Sequence, residues 1–263
     1  MSTTAKILRY ELRDLARSRW LLGYLLFFLA FAEALYRVEG SSLKVLLNLV
    51  DVVLLLIPLA SAIFGTIYLY GAREFVELLL SQPVGRRQLF GGLYLGLASV
   101  LSAAFVLGTT VPFVLHGMDE TGGWATLGAI CGVGVVLTWV SVALAFLAAL
   151  RFEDRMKVLA TVVLAWLALA VVYDGAILLA VNVFADYPVE HGLLAATLAN
   201  PVDLARILLL LRFDIAALMG YTGEVYARFF GSGAGVALAL SAAAAWLVVP
   251  LALGGRAFGR KDF

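Results

Sequence analysis

The residues best suited to chemistry in this sequence are three carboxylates within long apolar runs: Glu33, Asp51 and Asp174. A carboxylate inside a membrane faces a cavity or a polar partner, and it can gate transport or titrate during it. Glu33 has Arg37 one helical turn away and Asp51 lies near the end of its run, so an ion pair and interfacial water are the simpler explanations for these two. Asp174 lies deepest, about 13 Å from the outer end of its run at 1.5 Å per residue. We expect either a translocation or gating role for Asp174 or a polar bond to a neighbouring helix.

Enzyme chemistry has little support in the remaining residues. His116 and His191 are the two histidines and Cys131 is the single cysteine, so a metal centre or a disulfide would lack ligands. The stretch 254–261 has the glycine spacing of a phosphate-binding loop, but arginine replaces the required lysine and no serine or threonine follows. A formal net charge of +1 supplies no basic surface for nucleic acid. We therefore expect no catalytic residue, metal or cofactor on this chain, and no nucleic-acid partner.

The composition predicts the elements that hold these carboxylates. The 263 residues are 63% apolar and 14% charged, whereas soluble domains have about 45–50% and about 25%. A helix that crosses the roughly 30 Å hydrocarbon core needs about 20 apolar residues. Six runs meet this requirement, at 19–37, 46–70, 91–116, 124–150, 158–183 and 234–254. We predict an all-α membrane protein with six transmembrane helices in a single domain over 1–263.

The distribution of basic residues predicts the orientation of these helices. Lysine and arginine concentrate in short cytoplasmic segments, and six spans put both termini on one side. The two terminal segments, together with 71–90 and 151–157, carry 14 of the 19 basic residues, and the other connecting segments carry five. Both termini are therefore predicted to be cytoplasmic. A signal peptide is the alternative for the first run, but the acidic residues before it are unlike a short basic leader.

Two segments outside the six runs have amphipathic patterns. Leucines and arginines alternate at helical spacing over 5–18, which predicts a helix on the cytoplasmic membrane surface with its arginines among lipid headgroups. The segment 184–230 is the longest external one. A seventh span at 201–219 would bury four charged residues in lipid and move the basic tail outside. We predict instead an external or partly embedded helix.

The start of this external helix has good local chemistry. Asn200 can cap its free backbone N–H groups, Pro201 suits the first helical position, and Asp203 complements the positive end of the dipole. A well-capped helix alone explains these residues. An apolar stripe along the helix must be covered by the membrane, by the spans or by a partner, and it comprises Leu204, Leu208, Leu211 and Ile215.

The segment 71–90 between the second and third runs is the most informative connection. It begins with a predicted short helix carrying Glu74 and Glu77, and this helix ends before Pro83, because proline disfavours helix in the residue before it. A short cytoplasmic helix with an apolar and a charged face is suited to docking on a soluble partner. A turn fixed by Pro83 and Gly85, with arginines that follow the charge bias, is the alternative explanation.

These motifs resemble a known family. The order of glutamate, leucines, serine and proline over 73–83 is similar to that of the permeases of type 2 ABC transporters, which have six spans and an amino-terminal elbow helix. Tyr173-Asp174-Gly175 and the stretch 200–206 resemble, more narrowly, the NosY-like membrane subunits of the transporter for nitrous-oxide-reductase maturation. The chain departs from many type 2 permeases in having Glu74-Phe75 in place of glycine-threonine before its glutamate.

The resemblance implies partners and roles. It implies a homodimer of permeases in the bacterial cytoplasmic (inner) membrane, bound to two separate ATPase subunits that carry ATP and Mg. It also implies a NosD-like extracytoplasmic partner and a task in substrate export or in sulfur or copper-site maturation. The residues implied for ATPase coupling are Arg73, Glu74, Glu77, Leu80, Pro83 and Arg86. Those implied for docking of the external partner are Asn200, Asp203, Arg206, Arg212 and Glu224.

Two other functions stay open at this stage. An ion-coupled secondary transporter would titrate Asp174 and run on an ion gradient without nucleotide. It would also contain paired broken helices, of which the sequence shows little sign apart from Pro58 and Pro112. A structural membrane anchor of a respiratory assembly would bind no ATPase. The presence of an ATPase partner therefore separates the three hypotheses.

Overall fold

The computed structural model describes residues 18–118, 122–184, 190–213 and 221–261. The helix predicted over 5–18 lies outside these residues, apart from Ser18, which precedes the first described helix. Within the described ranges the chain is helical and contains no β-strand, which confirms the predicted all-α class.

Where the structure describes the connection between two helices, that connection is short. A π-helical segment, Ala168–Val172, joins α6 and α7 into one span. The described helices are α1 (Arg19–Glu39), α2 (Ser42–Gly71), α3 (Arg73–Leu80), α4 (Arg86–His116), α5 (Gly123–Arg151), α6 (Arg155–Leu167), α7 (Tyr173–Val183), α8 (Glu190–Leu198), α9 (Pro201–Arg212), α10 (Tyr221–Phe230) and α11 (Gly233–Arg260).

Six described helices are long and apolar enough to cross a membrane, which confirms the six predicted spans. They are α1, α2, α4, α5, the continuous α6–α7 span and α11. Several extend past the predicted bounds: α4 begins at Arg86, and α11 continues to Arg260. Hydropathy marks where the apolar run ends, whereas the backbone hydrogen-bond ladder continues into the polar region.

The core lies between α2, α4 and α5, and the other spans surround it. Close approach of these helices depends on glycine. A Cβ at Gly108 of α4 would lie 2.8 Å from the carbonyl oxygen of Leu25 in α1, and a Cβ at Gly134 of α5 would overlap the Phe105 ring. Any larger residue at these two positions would push the helices apart, because interiors are close-packed.

Helices α8 and α9 form a re-entrant hairpin. The chain changes direction by 112° between them, so α9 returns towards the side from which α8 came. Its turn lies deep: Asn200 Nδ2 donates to the carbonyl of Leu169 (2.7 Å), and Trp246 Nε1 donates to the carbonyl of Leu198 (3.4 Å). Leu169 and Trp246 lie 14 and 13 residues inside their spans, a depth of about 20 Å at 1.5 Å per residue.

The start of α9 agrees with the sequence, and its placement refines the prediction. Asn200 caps the helix by accepting from the backbone N–H of Val202 (2.9 Å), and Pro201 occupies the first turn. The predicted external or partly embedded helix is the second arm of an embedded hairpin. Three leucines of its apolar stripe, Leu204, Leu208 and Leu211, pack against α8, α10 and α11 of the same chain. Ile215, the fourth member, lies outside the described residues.

Candidate functional site

Helix α3 is a short helix at the end of the second span, on the membrane side that we call the coupling side. Val76 is buried and anchors the helix to the core, while Glu74, Glu77 and Leu78 are exposed. Leu80 is half-buried at its end. The free face of α3 therefore combines two carboxylates with an apolar side chain.

The end of α3 follows from the proline turn that the sequence predicts. The helix stops at Leu80, and the Ser81 hydroxyl donates to the carbonyl of Leu78 (2.7 Å). Pro83 is exposed in the turn that leads into α4. Because proline removes a backbone donor and restricts the residue before it, the helix cannot continue through this point.

The start of α3 is tied to the connection between α5 and α6. Tyr70 Oη donates to the carbonyl of Phe152 (2.8 Å), and Arg73 Nη2 donates to the carbonyl of Glu153 (3.4 Å). The Arg73 guanidinium also lies 4.1 Å from the centre of the Tyr70 ring, within the range of a cation–π contact. Arg73 therefore joins two connections on the coupling side.

The start of α4 is tied to the end of the sixth span. Arg86 Nη1 donates to the carbonyls of Lys261 (2.7 Å) and Gly259 (3.3 Å). Lys261 in turn donates to the carbonyl of Leu150 (3.4 Å), and partial burial, helped by the nearby Arg73 guanidinium, lowers the pKa of its ammonium group. Of the six residues expected at the ATPase, Arg73 and Arg86 thus bind the permease's own backbone, and Glu74 and Glu77 face outward.

A second polar group lies at the hairpin, on the opposite side, which we call the far side. Arg206 of α9 forms an ion pair with Asp174 of α7 (2.5 Å) and lies 3.8 Å from Asp203, one turn earlier on its own helix. This pair joins the fifth span to the hairpin. Asp174 therefore has the polar bond to a neighbouring helix that the sequence offered as one of two explanations.

Further hydrogen bonds surround this ion pair. Tyr173 Oη donates to the carbonyl of Ala196 in α8 (2.7 Å), and the hydroxyls of Thr197 and Tyr226 lie 2.9 Å apart. One oxygen of the Asp203 carboxylate is buried and has no hydrogen-bond partner among the described residues. The group, called the hairpin cluster below, comprises Tyr173, Asp174, Thr197, Asp203, Arg206 and Tyr226.

The π-helical segment explains how the hairpin reaches the middle of the fifth span. Such a segment interrupts the regular i→i+4 ladder, so a carbonyl there can accept from outside the helix. Leu169 lies in this segment, and its carbonyl accepts from Asn200 at the hairpin turn. Tyr173 and Asp174, the next residues after the segment, make the two other ties to the hairpin.

The comparison with known proteins identifies the family. No protein-family model matches the chain. It is 30% identical over 231 residues to the ABC transporter permease protein NosY of Pseudomonas aeruginosa, an alignment that spans 81% of this chain and 84% of that protein. The chain belongs to the NosY-like ABC transporter permeases. The permease is also 24% identical over 231 residues to NosY of Stutzerimonas stutzeri, across 81% of this chain and 83% of that protein.

Family membership supports the transport function and a multi-pass membrane location, and it implies an ATPase partner within an ABC system. A permease acts in transport, which agrees with the non-enzymatic function expected from the sequence. Among the described residues, no group of three or more His, Cys, Asp or Glu side chains is arranged to hold a metal ion.

The other two carboxylates in the predicted spans, Glu33 and Asp51, lie in surroundings of their own. Glu33 pairs with Arg37 (3.1 Å), as the sequence predicts, and it also contacts His116 Nε2 of α4 (2.8 Å), which the sequence did not reveal. Asp51 is exposed on α2 and has no ion-pair partner in the described part of the chain. No hydrogen bond or ion pair between described residues links either group to Asp174. A gating role for Glu33 and Asp51 stays a prediction.

The residues expected to dock an external partner separate into two groups. Asn200 is fully buried and Asp203 is 6% exposed, so both face the interior of the permease. Arg206 is occupied by the two aspartates of the hairpin cluster. Arg212 and Glu224 are exposed. Burial therefore restricts the docking hypothesis to these last two residues.

Proposed function

We propose that the permease transmits movement from a separate ABC ATPase, which binds ATP and Mg, through α3 to its membrane spans. In this proposal the permease hydrolyses nothing itself. The ATPase contacts the exposed face formed by Glu74, Glu77 and Leu78. The observation that carries the proposal is this outward face on a helix whose opposite face is anchored by Val76.

The ties of α3 and α4 support a route for that movement. A displacement of α3 pulls on Phe152 and Glu153 at the start of the fifth span, through Tyr70 and Arg73. Arg86 passes the same displacement to the end of the sixth span. We assign Arg73 and Arg86 to this internal transmission, and Pro83 to the turn that orients it.

The hairpin cluster is the proposed receiver of this movement on the far side. The Asp174–Arg206 pair and the Asn200–Leu169 hydrogen bond hold the fifth span to the hairpin. A tilt of that span must either carry the hairpin with it or break the ion pair. Asp174 is therefore assigned to gating.

The assembly and orientation follow from the same proposal. Two copies of the permease with two ATPases form the complete transporter, as in other type 2 systems. The positive-inside bias supports a coupling side that faces the cytoplasm, with both termini there and the permease in the bacterial inner membrane. The proposed task is substrate export or the maturation of a sulfur or copper site, the latter as the resemblance to NosY-like subunits implies.

The test of coupling is a charge reversal on α3. The tagged permease is purified with its partners from its own host, the ATPase is identified by mass spectrometry, and hydrolysis is measured in the complex. Glu77→Arg is expected to lower the amount of bound ATPase at least about tenfold, since a reversed charge in a complementary contact costs several kcal/mol. Pro83→Leu is expected to lower ATP hydrolysis with a smaller loss of binding.

Glu224→Arg is the matched control, because it makes the same charge change on an exposed residue of the far side. It is expected to keep normal ATPase binding. Unchanged ATPase binding and hydrolysis in both α3 variants would refute the coupling proposal. An ion-driven transporter or a passive anchor would purify without an ATPase.

The proposal includes an external partner that binds on the far side. A photo-crosslinker at Arg212 or Glu224, the two exposed far-side positions, is expected to capture a NosD-like extracytoplasmic protein when the full complex is expressed. The same crosslinker at Glu77 is the control and should capture the ATPase. Capture of lipid or of the second permease alone, with all partners present, would refute far-side docking.

A further inference from the structure

Two adjoining cavities lie beside α5 on the coupling half of the permease. The first, of about 390 Å³, lies between α2, α5 and α6, and the second, of about 400 Å³, lies between α5 and α11. They share Leu144, Leu147 and Trp246 as a common wall. Both volumes fall in the range of about 300–1,000 Å³ that is typical of sites for small molecules.

The lining of the two cavities is almost entirely apolar. Among the described residues, Arg151 is the one charged residue that lines either cavity. The indole N–H groups that could have offered polar contacts are already used: Trp166 donates to the carbonyl of Leu55 (2.9 Å), and Trp246 donates to that of Leu198. A ligand with apolar chains and a single anionic end therefore fits this lining.

The depth of the cavities matches one leaflet of a membrane. The first cavity extends along α5 from Arg151, the last residue of that helix, to Leu137. These residues are 14 positions apart, a length of about 21 Å at 1.5 Å per residue. Pro201 and Val202 at the hairpin turn close the inner end of this cavity, and Leu198 lines the second. A chain that entered beside Arg151 would thus end near the middle of the membrane.

The charge at the entrance lacks a protein partner. Arg151 is exposed, and no hydrogen bond or ion pair to it occurs within the described residues. Arg155 and Lys157 follow in the first turn of α6. The Arg151 guanidinium lies at the end of α5, where lipid headgroups are expected. It can bind the phosphate of a headgroup through two hydrogen bonds.

We propose that this groove binds an anionic phospholipid from the leaflet on the coupling side. One acyl chain lies in each cavity, on either side of Trp246, and the phosphate contacts Arg151. The bound lipid fills the space between the fifth and sixth spans below the hairpin. The site requires membrane insertion only, so it does not depend on the proposed ATPase coupling.

The test combines lipid competition with the two tryptophans that line the groove. Trp20, Trp124 and Trp139 are replaced by Phe, so that Trp166 and Trp246 alone report by fluorescence. The full-length permease is then reconstituted in phosphatidylcholine nanodiscs, and phosphatidylglycerol with brominated acyl chains is titrated in. Brominated phosphatidylcholine is the zwitterionic probe.

Brominated phosphatidylglycerol is expected to quench at about fivefold lower concentration than brominated phosphatidylcholine, because one basic residue near the surface contributes that much to anionic-lipid binding. Arg151→Gln should abolish this preference. Arg260→Gln, which removes an exposed charge at the coupling-side end of α11, should retain it.

Equal quenching by the two lipids before mutation, or a preference that survives Arg151→Gln, would overturn the anionic-lipid site. Absence of quenching by either lipid would also overturn it and would indicate that a second copy of the permease covers the groove. Native mass spectrometry of the Arg151→Gln variant checks that the loss is one of bound lipid and not of folded protein.

Discussion

The coupling segment 71–90 and the hairpin formed by α8 and α9 differ in whether their carboxylates are exposed or enclosed. Glu74 and Glu77 of the coupling segment are exposed, and Arg73 and Arg86 donate to backbone carbonyls at the edge of the fold. The hairpin instead encloses Asp203, one carboxylate oxygen of which lies 3.8 Å from Arg206, while the other has no hydrogen-bond partner among the described residues. One region thus leaves its carboxylates exposed, and the other encloses its charged groups and pairs them in part internally.

This difference predicts different mechanical properties. Water can replace a hydrogen bond that breaks at the exposed segment, so rearrangement there costs little. Within the membrane no such replacement is available, and a buried charge that loses its partner is costly. The coupling segment is therefore suited to change shape with its partner, and the hairpin is suited to move as a rigid unit with the fifth span.

The largest effect is expected from removing the guanidinium at the centre of the hairpin. Arg206→Leu removes the ion-pair partner of the partly exposed Asp174 and of the buried Asp203, and loss of a hydrogen bond to a charged group costs about 2–3 kcal/mol. Arg212→Leu, six residues further along and exposed, is the matched control and should change stability by about 0.5 kcal/mol or less. Denaturant unfolding in detergent measures both variants. Equal stability of the two would show that the hairpin cluster contributes no more than surface charge does.

A smaller effect is expected from neutralising Asp174. Asp174→Asn keeps the size and hydrogen-bonding capacity of the side chain while deleting its charge. The bond to Arg206 then loses its charged acceptor, which weakens it by about 1.5 kcal/mol, or roughly tenfold in coupled activity. ATP hydrolysis by the reconstituted complex measures the activity, and chemical crosslinking of the two permeases measures their assembly.

Retained assembly with reduced activity would support gating by Asp174. If Asp174→Asn works normally while Asp174→Ala unfolds the permease, the carboxylate has only a structural function, and the contrast between the two regions becomes one of stability alone.

The smallest effects come from two tyrosines that make the same bond in the two regions. Tyr70 donates to the carbonyl of Phe152 at the coupling side, and Tyr173 donates to that of Ala196 at the hairpin. Each Tyr→Phe change removes one hydrogen bond, worth about 0.5–1.5 kcal/mol. Tyr173→Phe should lie at the upper end of that range, because water cannot replace the lost bond to the carbonyl of Ala196. Tyr70→Phe should lie at the lower end, because water can reach the carbonyl of Phe152. Thermal unfolding measures both variants. A larger loss of stability in Tyr70→Phe than in Tyr173→Phe would contradict the proposed difference in rigidity between the two regions.

Local features of the fold were predictable from the sequence. Hydropathy located the six spans, the proline rule located the end of α3, and the capping chemistry of Asn200 located the start of α9. The Glu33–Arg37 pair followed from helical spacing. Each of these features depends on residues that lie close together in the sequence. The sequence alone therefore shows which groups can interact.

The contacts that define the candidate site were not predictable in this way. Arg206 and Asp174 are 32 residues apart, and Arg86 and Lys261 are 175 residues apart. Nothing in either segment marks its partner, because an arginine can pair with any carboxylate or carbonyl that packing brings near it. The embedded hairpin was also missed, because a capped amphipathic helix has the same pattern outside the membrane as within it.

Composition and spacing alone thus determined that this chain is a six-span helical membrane protein with a short amphipathic helix after its second span. These properties follow from the free energy of moving each segment between water and lipid, which depends on the residues of that segment. Only the tertiary structure decided that Arg73 and Arg86 bind internal carbonyls, and that Asp174, Asp203 and Arg206 meet at the hairpin. Pairings of this kind depend on how the spans pack against one another, and that packing is a property of the whole fold.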